Sequence, residues 1–293
     1  MADYRALIAN CVVGGELFTY DGGRRVRNLI RLRLDELDIE ILQRPDIIRG
    51  TFQEFQHRTI YTTDLAIRNL LPESFDRAQL VARDISELLS LATSSDVAVF
   101  GYEYPDVSPI AACHAIIGQV QHFLPLLPIR RGEVIRSFLE QAWPTFRRLR
   151  NTRQLNIAFD YYTMSEKEKP IEIKLIATFV LFENLKHTYA LEKGYPYVKG
   201  YFRDCGATRT KPGPRKTFEG LLDEMLTSVG MNVEMSKVVH LRNELIHSGI
   251  ANLNLDDKLR MYKDCQDILR EYFLRVLNYR GEYQRYSGDS VIA

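Results

Sequence analysis

The chain has 293 residues, of which 45% are apolar and 26% are charged, a composition typical of a soluble globular protein. Its 39 basic and 38 acidic side chains leave a formal net charge of +1, which excludes a protein that coats nucleic acid or membranes over its whole surface. The four cysteines form no C-x-x-C pair, which excludes a zinc ribbon and a disulfide framework. With no leader sequence and no long apolar run in the sequence, we expect a cytoplasmic protein without a membrane partner.

The charge is divided unevenly along the chain. Residues 1–124 contain 12 arginines, no lysine and 17 acidic residues, a balance of −5, whereas residues 125–293 have a balance of +6. A difference of this size indicates two units with different surfaces. We therefore predict two domains, 1–124 and 125–293, and assign the acidic one to sensing a trigger or binding a partner.

The first predicted domain has both strand and helix patterns. Residues 26–41 alternate between apolar and charged side chains, which predicts an antiparallel strand or hairpin with one wet face. Residues 75–93 have helical spacing, and residues 95–104 are rich in β-branched and aromatic side chains, which is typical of a strand. The segment 105–130 is ambiguous. We therefore predict an α+β N-terminal domain.

The second predicted domain is helical. The strand signal fades after residue 131, and helices are predicted over residues 132–150, 151–165, 171–194, 217–230, 231–249 and 254–281. The segment 171–194 is apolar on nearly every side, which predicts the central core helix of the domain. We therefore predict an all-α bundle after the α+β domain, with a mainly α chain overall.

One short segment near the end of a predicted helix carries side chains suited to phosphate chemistry, namely Arg242, Asn243 and His247. A guanidinium holds a phosphate, and an imidazole moves a proton near neutral pH. Asn243 and His247 share one helix face, whereas Arg242 and His247 are about 140° apart and converge only if Arg242 bends or a second subunit closes the site. The same cations also suit a helix C-terminus without catalysis, because they complement the helix dipole.

The sequence LRNELIH (241–247) resembles the R-x4-6-H motif of HEPN domains and is most similar to their ApeA-like branch. The resemblance covers roughly residues 130–285 and includes the sequence FENL (182–185) in the preceding helix. It implies a helical bundle in which two protomers pair with their motifs facing across a groove. It also implies an endoribonuclease that needs no metal or other cofactor, uses the RNA 2′-hydroxyl as nucleophile, leaves a cyclic phosphate, and acts as a toxin or anti-phage effector.

The resemblance gives each motif residue a role. It implies that His247 is the general acid/base, that Arg242 binds the scissile phosphate, and that Asn243 orients the phosphate or the histidine. Glu183 is a supporting polar contact or, alternatively, a carboxylate paired with a neighbour such as His187 at i+4.

The site has a single motif histidine per chain, which does not readily supply both an acid and a base. We therefore expect a homodimer through the helical domain, where a two-fold axis brings two copies of each group into one groove. The alternative is a catalytically inactive HEPN-fold binding or scaffold module that dimerises through the same helix.

Two basic segments predict where RNA lies. One is the arginine-rich stretch 130–153, and the other is a Gly/Pro-rich loop over residues 202–216 with aromatic neighbours. A basic loop beside aromatic rings holds single-stranded RNA by charge and stacking, although a solvated helix face and a surface loop have the same composition. The cations predicted to contact RNA are Arg147, Arg148, Arg150, Arg203, Arg209, Lys211, Arg215 and Lys216.

Overall fold

The computed structural model describes residues 2–71, 74–104, 118–120, 124–167, 170–206, 208, 210–211, 213–249, 252–288 and 290–293. The chain forms two compact units, one of Met1–Pro144 with Tyr279–Ala293 and the other of Thr145–Asn278. The domain boundary at residues 124 and 125 stays a prediction.

The first unit is built on a six-stranded antiparallel sheet. Its strands are β1 (Ala2–Ala9), β2 (Leu17–Asp21), β3 (Arg24–Leu34), β4 (Leu37–Gln43), β5 (Tyr61–Leu70) and β6 (Ala98–Glu103). They lie in the order β2-β3-β4-β5-β1-β6. The helices of this part are α1 (Pro45–Arg49), α2 (Phe52–Phe55) and α3 (Phe75–Thr93), and α3 packs on β1, β5 and β6. A sheet of this kind followed by helices is an α+β fold, as the sequence predicts.

The alternating segment 26–41 forms the hairpin of β3 and β4. Asp35 and Glu36 make its turn with φ of 48° and 67°, the left-handed conformation that a two-residue hairpin turn requires. The sequence did not reveal β5, because residues 62–65 are buried one after another and leave no period of two.

The second unit is built around one helix that crosses its interior. Its helices are the end of α4 (Gly132–Leu149), α5 (Leu155–Glu166), α6 (Ile171–Glu192), α7 (Phe218–Thr227), α8 (Ser236–Ser248) and α9 (Leu255–Val276). Helix α6 contacts α5, α7, α8 and α9, as the apolar segment 171–194 predicts. Among the described residues, no helix has the length and apolar character to span a membrane.

The C-terminal half also contains strands that an all-α prediction does not include. A hairpin of β7 (Tyr197–Val198) and β8 (Tyr201–Phe202) lies between α6 and α7. A second hairpin, of β9 (Glu282–Gln284) and β10 (Ser290–Ile292), follows α9 and belongs to the first unit. Strands of two or three residues are too short to show a periodic pattern, so they cannot be predicted in this way.

A buried polar network links α5 to α9. Arg270, which is fully buried, donates from Nη2 to Oε1 of Glu166 at 2.6 Å and from Nε to the hydroxyl of Tyr162 at 2.9 Å. Gln266 donates to Ser165 Oγ at 3.0 Å one turn earlier on α9. Because a buried charge is costly without its partner, this network fixes the register of α9 on α5.

Candidate functional site

The guanidinium of Arg242 on α8 is held by a carboxylate of α6. Its Nη2 forms an ion pair with Oε1 of Glu183, 59 residues earlier in the chain, and its Nη1 donates to Oδ1 of Asn243 at 2.8 Å. The side chains of Arg242 and Glu183 are 22% and 33% exposed, so the pair is partly shielded from water. Two residues that the sequence singled out separately are therefore in direct contact.

Two further residues complete this group. Lys186 Nζ lies 3.0 Å from Oε2 of Glu183, so one carboxylate faces two cations. The charged groups of Lys186 and Arg242 lie 5.2 and 4.8 Å from the ring centre of Phe218, at the start of α7. We call Arg242, Asn243, Glu183, Lys186 and Phe218 the Arg242 cluster. The i+3 spacing from Glu183 could have indicated Lys186, whereas no sequence signal joined Phe218 to the motif.

The alternative pairing of Glu183 with His187 is not what the structure shows. The carboxylate of Glu183 contacts Arg242 and Lys186. The exposed ring of His187 instead packs edge-on against Phe202 and Tyr197, at centroid distances of 5.0 and 6.1 Å. Two aromatic rings therefore orient His187.

The motif lies in the C-terminal half of helix α8. Gly249 ends the helix with φ of 71°, and its N–H donates to the carbonyl of Leu245 at 2.8 Å. Asn243 is exposed on this helix. The backbone of His247 belongs to α8, whereas its side chain lies outside the described residues, so the approach of His247 to Arg242 stays a prediction.

The charges of the Arg242 cluster suit an anionic ligand. Two cations face a single carboxylate, so the group has a net positive charge. The Nε of Arg242 is buried and has no acceptor within the part of the chain that the structure describes. The buried Nε is shielded from any ligand, but the 22% of the Arg242 side chain that is exposed carries a charge that a phosphate binds strongly.

Two of the predicted RNA-binding cations bind groups of the protein itself. Arg203 is 5% exposed and donates to the carbonyls of Gly213 at 2.5 Å and Val198 at 3.2 Å. It therefore holds the loop that follows β8 and does not present its charge to solvent. Lys216 lies 3.2 Å from Glu224 Oε2, and its ammonium also reaches Asp204, so this cation anchors the start of α7.

The other predicted cations have different surroundings. Arg215 is exposed and lies 4.1 Å from the ring centre of Tyr201, and Lys211 is exposed in the same loop. Arg209 lies outside the described residues. The remaining three cations lie on or just after α4: Arg147 and Arg148, which are exposed, and Arg150, which is half-buried. The residues of the Arg242 cluster come instead from α6, α7 and α8.

Glu224 is the acceptor that ties the loop to α7. Burial alone raises its pKa, but hydrogen bonds from Tyr195 and Lys216 outweigh this and hold the pKa below its ordinary value of 4.5. Burial lowers the pKa of Lys216, and its contacts with Glu224 and Asp204 reverse this and raise it above the ordinary range. The carboxylate and the ammonium thus stabilise each other in their charged forms.

We expect Glu183→Gln to lower the free energy of unfolding by about 1–2 kcal/mol, because two cations then share a neutral acceptor. Urea denaturation followed by circular dichroism measures the change. The matched control is Glu271→Gln, at a carboxylate that is 24% exposed and whose i,i+4 pair with Arg275 stays within α9, so it should cost only about 0.3–0.5 kcal/mol. Equal losses in the two variants would contradict an interhelical role for Glu183.

Acid should release the Glu224 anchor. Since the folded-state pKa of Glu224 is lowered, its contribution is fully present above about pH 4.5 and is lost as the pH falls through the lower, folded-state value. Glu224→Gln should therefore be less stable than the native protein at pH 7, and the difference should shrink below pH 4.5. Urea midpoints measured from pH 7 to pH 3 test this, and a constant difference would contradict it.

The chain was also compared with known proteins. No protein family, no curated protein and no solved structure matches it.

Proposed function

We propose that the chain is an endoribonuclease of HEPN type that cleaves single-stranded RNA in the cytoplasm and needs no metal ion or other cofactor. In this proposal the helical unit carries the active site, and the N-terminal domain recognises a trigger or partner. The biological role in the proposal is that of a toxin or anti-phage effector. The motif resemblance is its starting point, and the geometry of the Arg242 cluster is its support.

The proposed reaction is an internal transesterification. The 2′-oxygen attacks the adjacent phosphorus while a general base removes its proton, and the bond to the 5′-oxygen breaks as a general acid protonates that oxygen. The products are a 2′,3′-cyclic phosphate and a 5′-hydroxyl. His247 is the proton-transfer group, Arg242 neutralises the charge that builds up on the phosphate, and Asn243 donates a hydrogen bond to the phosphate or the histidine.

One observation carries the proposal more than any other. Arg242 is held by Glu183 close to a second cation, Lys186, on the helix that also carries His247. Glu183 accepts a hydrogen bond from Nη2 and Asn243 accepts one from Nη1, and these two bonds fix the plane of the guanidinium. A guanidinium whose plane is fixed close to a second cation is prepared for an anionic group such as a phosphate.

The inactive scaffold module is the second candidate, because Arg242 is mostly buried and already pairs with Glu183 and Asn243. Such internal pairing also suits an arginine whose only role is to hold α8 on α6. Only the nuclease cleaves RNA, so an RNA cleavage assay distinguishes the two candidates directly.

Exposed apolar side chains support a homodimer through the helical unit. Ile157 and Met164 on α5, and Ile173 and Val180 on α6, are all exposed. The two residues on each helix are seven apart and so share one face of it, and α5 packs on α6, from which we infer that the four side chains form one apolar patch. Since Val180 precedes Glu183 by three residues on α6, the patch adjoins the Arg242 cluster. A second copy seated there would bring two motifs close together.

The oligomeric state tests this part of the proposal. The native protein should be a dimer by light scattering at micromolar concentration, and Val180→Asp should make it a monomer, because a charge in an apolar interface has no partner. Leu80→Asp, at an apolar residue of α3 with similar exposure, is the control and should leave the dimer intact. A native protein that stays monomeric at every concentration would remove the basis for a composite site.

RNA cleavage tests the assignment of His247. In excess chelator, the native protein should cleave single-stranded RNA, and His247→Ala should lose about 100- to 10,000-fold in rate, the usual contribution of acid–base catalysis. Arg242→Lys should also lose activity, because an ammonium keeps the charge but not the forked donors. The matched control is His240→Ala, at an exposed histidine of the same helix, which should retain activity.

Equal cleavage by the native protein and His247→Ala would contradict the proposed role of His247. If neither protein cleaved any of a varied set of RNAs, the scaffold module would be the better account.

A further inference from the structure

Three aromatic rings come together at the hairpin of β7 and β8. The ring centres of Tyr197 and Phe202 are 5.0 Å apart, and His187 lies 5.0 Å from Phe202 and 6.1 Å from Tyr197. Phe202 is 3% exposed, whereas Tyr197 is 58% exposed and His187 is exposed as well. A buried phenylalanine thus supports two accessible rings and limits their rotation.

The hairpin turn fixes which ring faces which side. Lys199 and Gly200 form a two-residue turn with φ of 52° and 81°, a conformation that matches the twist of paired strands. Tyr197 is paired directly with Phe202, so both side chains lie on the face of the hairpin that meets His187. Tyr201, one residue before Phe202, faces the opposite side, where Arg215 stacks on it.

This aromatic face lies close to the Arg242 cluster. His187 follows Glu183 by four residues on α6, so the two share one side of the helix and are separated by one turn, about 6 Å along its axis. A second connection along the chain joins the hairpin to the cluster. The N–H of Lys216 donates to the carbonyl of Phe202 at 2.9 Å, and Phe218 of the Arg242 cluster follows two residues later.

We propose that Tyr197 and His187 form a subsite for an unpaired nucleobase of the RNA whose phosphate Arg242 binds. The inference rests on the proposed function, because it places the base next to the phosphate that Arg242 binds. Its own basis is a pair of accessible rings, rigidly supported, one helical turn from two cations. Aromatic faces next to positive charge match the alternation of base and phosphate along a single strand.

The chemistry selects an unpaired base over a duplex. Stacking on a ring needs a base whose face is free, and double-stranded RNA offers only its backbone and a shallow groove. Any base has such a face, so the subsite binds single strands without strict sequence preference.

Binding of a fluorescein-labelled, unstructured single-stranded RNA tests the subsite. The measurements use the full chain with the His247→Ala change, so that the RNA stays intact. Tyr197→Ala should raise the dissociation constant about 5- to 150-fold, the usual effect of losing one stacked base. Tyr197→Phe should retain the affinity, because the ring remains.

Tyr201→Ala is the matched control, since Tyr201 is 44% exposed on the same hairpin but faces away from His187. It should cause a much smaller loss. A series of RNAs, each with a single abasic nucleotide at a different position, adds a second measurement. A purely structural role of Tyr197 would make the affinity loss independent of that position. When the abasic nucleotide occupies the position that contacts the subsite, the parent and Tyr197→Ala should bind the RNA with the same affinity, because no base is left to stack on the ring.

The outcomes separate this inference from the proposed function. If single-stranded RNA is bound and cleaved by the native motif but Tyr197→Ala binds as tightly as its parent, the subsite is overturned and the nuclease stands. If the parent binds no single-stranded RNA at all, the proposed function falls and the subsite falls with it. A loss in Tyr197→Ala that is equally large with the abasic RNA at every position would show a structural effect and would also overturn the subsite.

Discussion

The ion pair between Glu183 and Arg242 is the constraint on which the site depends. Helix α6 crosses the interior of the helical unit, and Glu183 and Lys186 are charged residues on its less buried side. Because the carboxylate binds both Arg242 and Lys186, it fixes the motif helix α8 on α6 and keeps two cations close together. An exposed arginine would sample many rotamers, whereas the guanidinium of Arg242 has a plane defined by two hydrogen bonds.

Successive turns of α6 have different properties along one side. Val180 belongs to the exposed apolar patch, Glu183 holds the Arg242 cluster one turn later, and His187 meets the aromatic hairpin after one more turn. In our account these turns serve dimer formation, phosphate binding and base stacking in that order. One rigid helix then sets the spacing among the three, which a set of loops would not do.

Periodic patterns predicted much of the fold, and contacts between distant residues account for what they missed. Thr217 and Asn254 accept hydrogen bonds from the N–H groups of Gly220 and Asp257, as expected of helix N-caps. The sequence also indicated Arg242, Asn243 and Glu183. It did not reveal Phe218, whose place in the cluster depends on how α7 packs. Nor did it reveal that Arg203 is buried, because composition does not distinguish a cation that holds a loop from one that binds RNA.

The most direct test of the account is the chemical identity of the RNA ends that the native protein produces. A site that combines His247 with Arg242 and activates the 2′-hydroxyl must leave a 2′,3′-cyclic phosphate on one fragment and a 5′-hydroxyl on the other, both visible by mass spectrometry. We predict these ends in excess chelator. Fragments with 5′-phosphate ends would contradict the account, because they require water as the nucleophile.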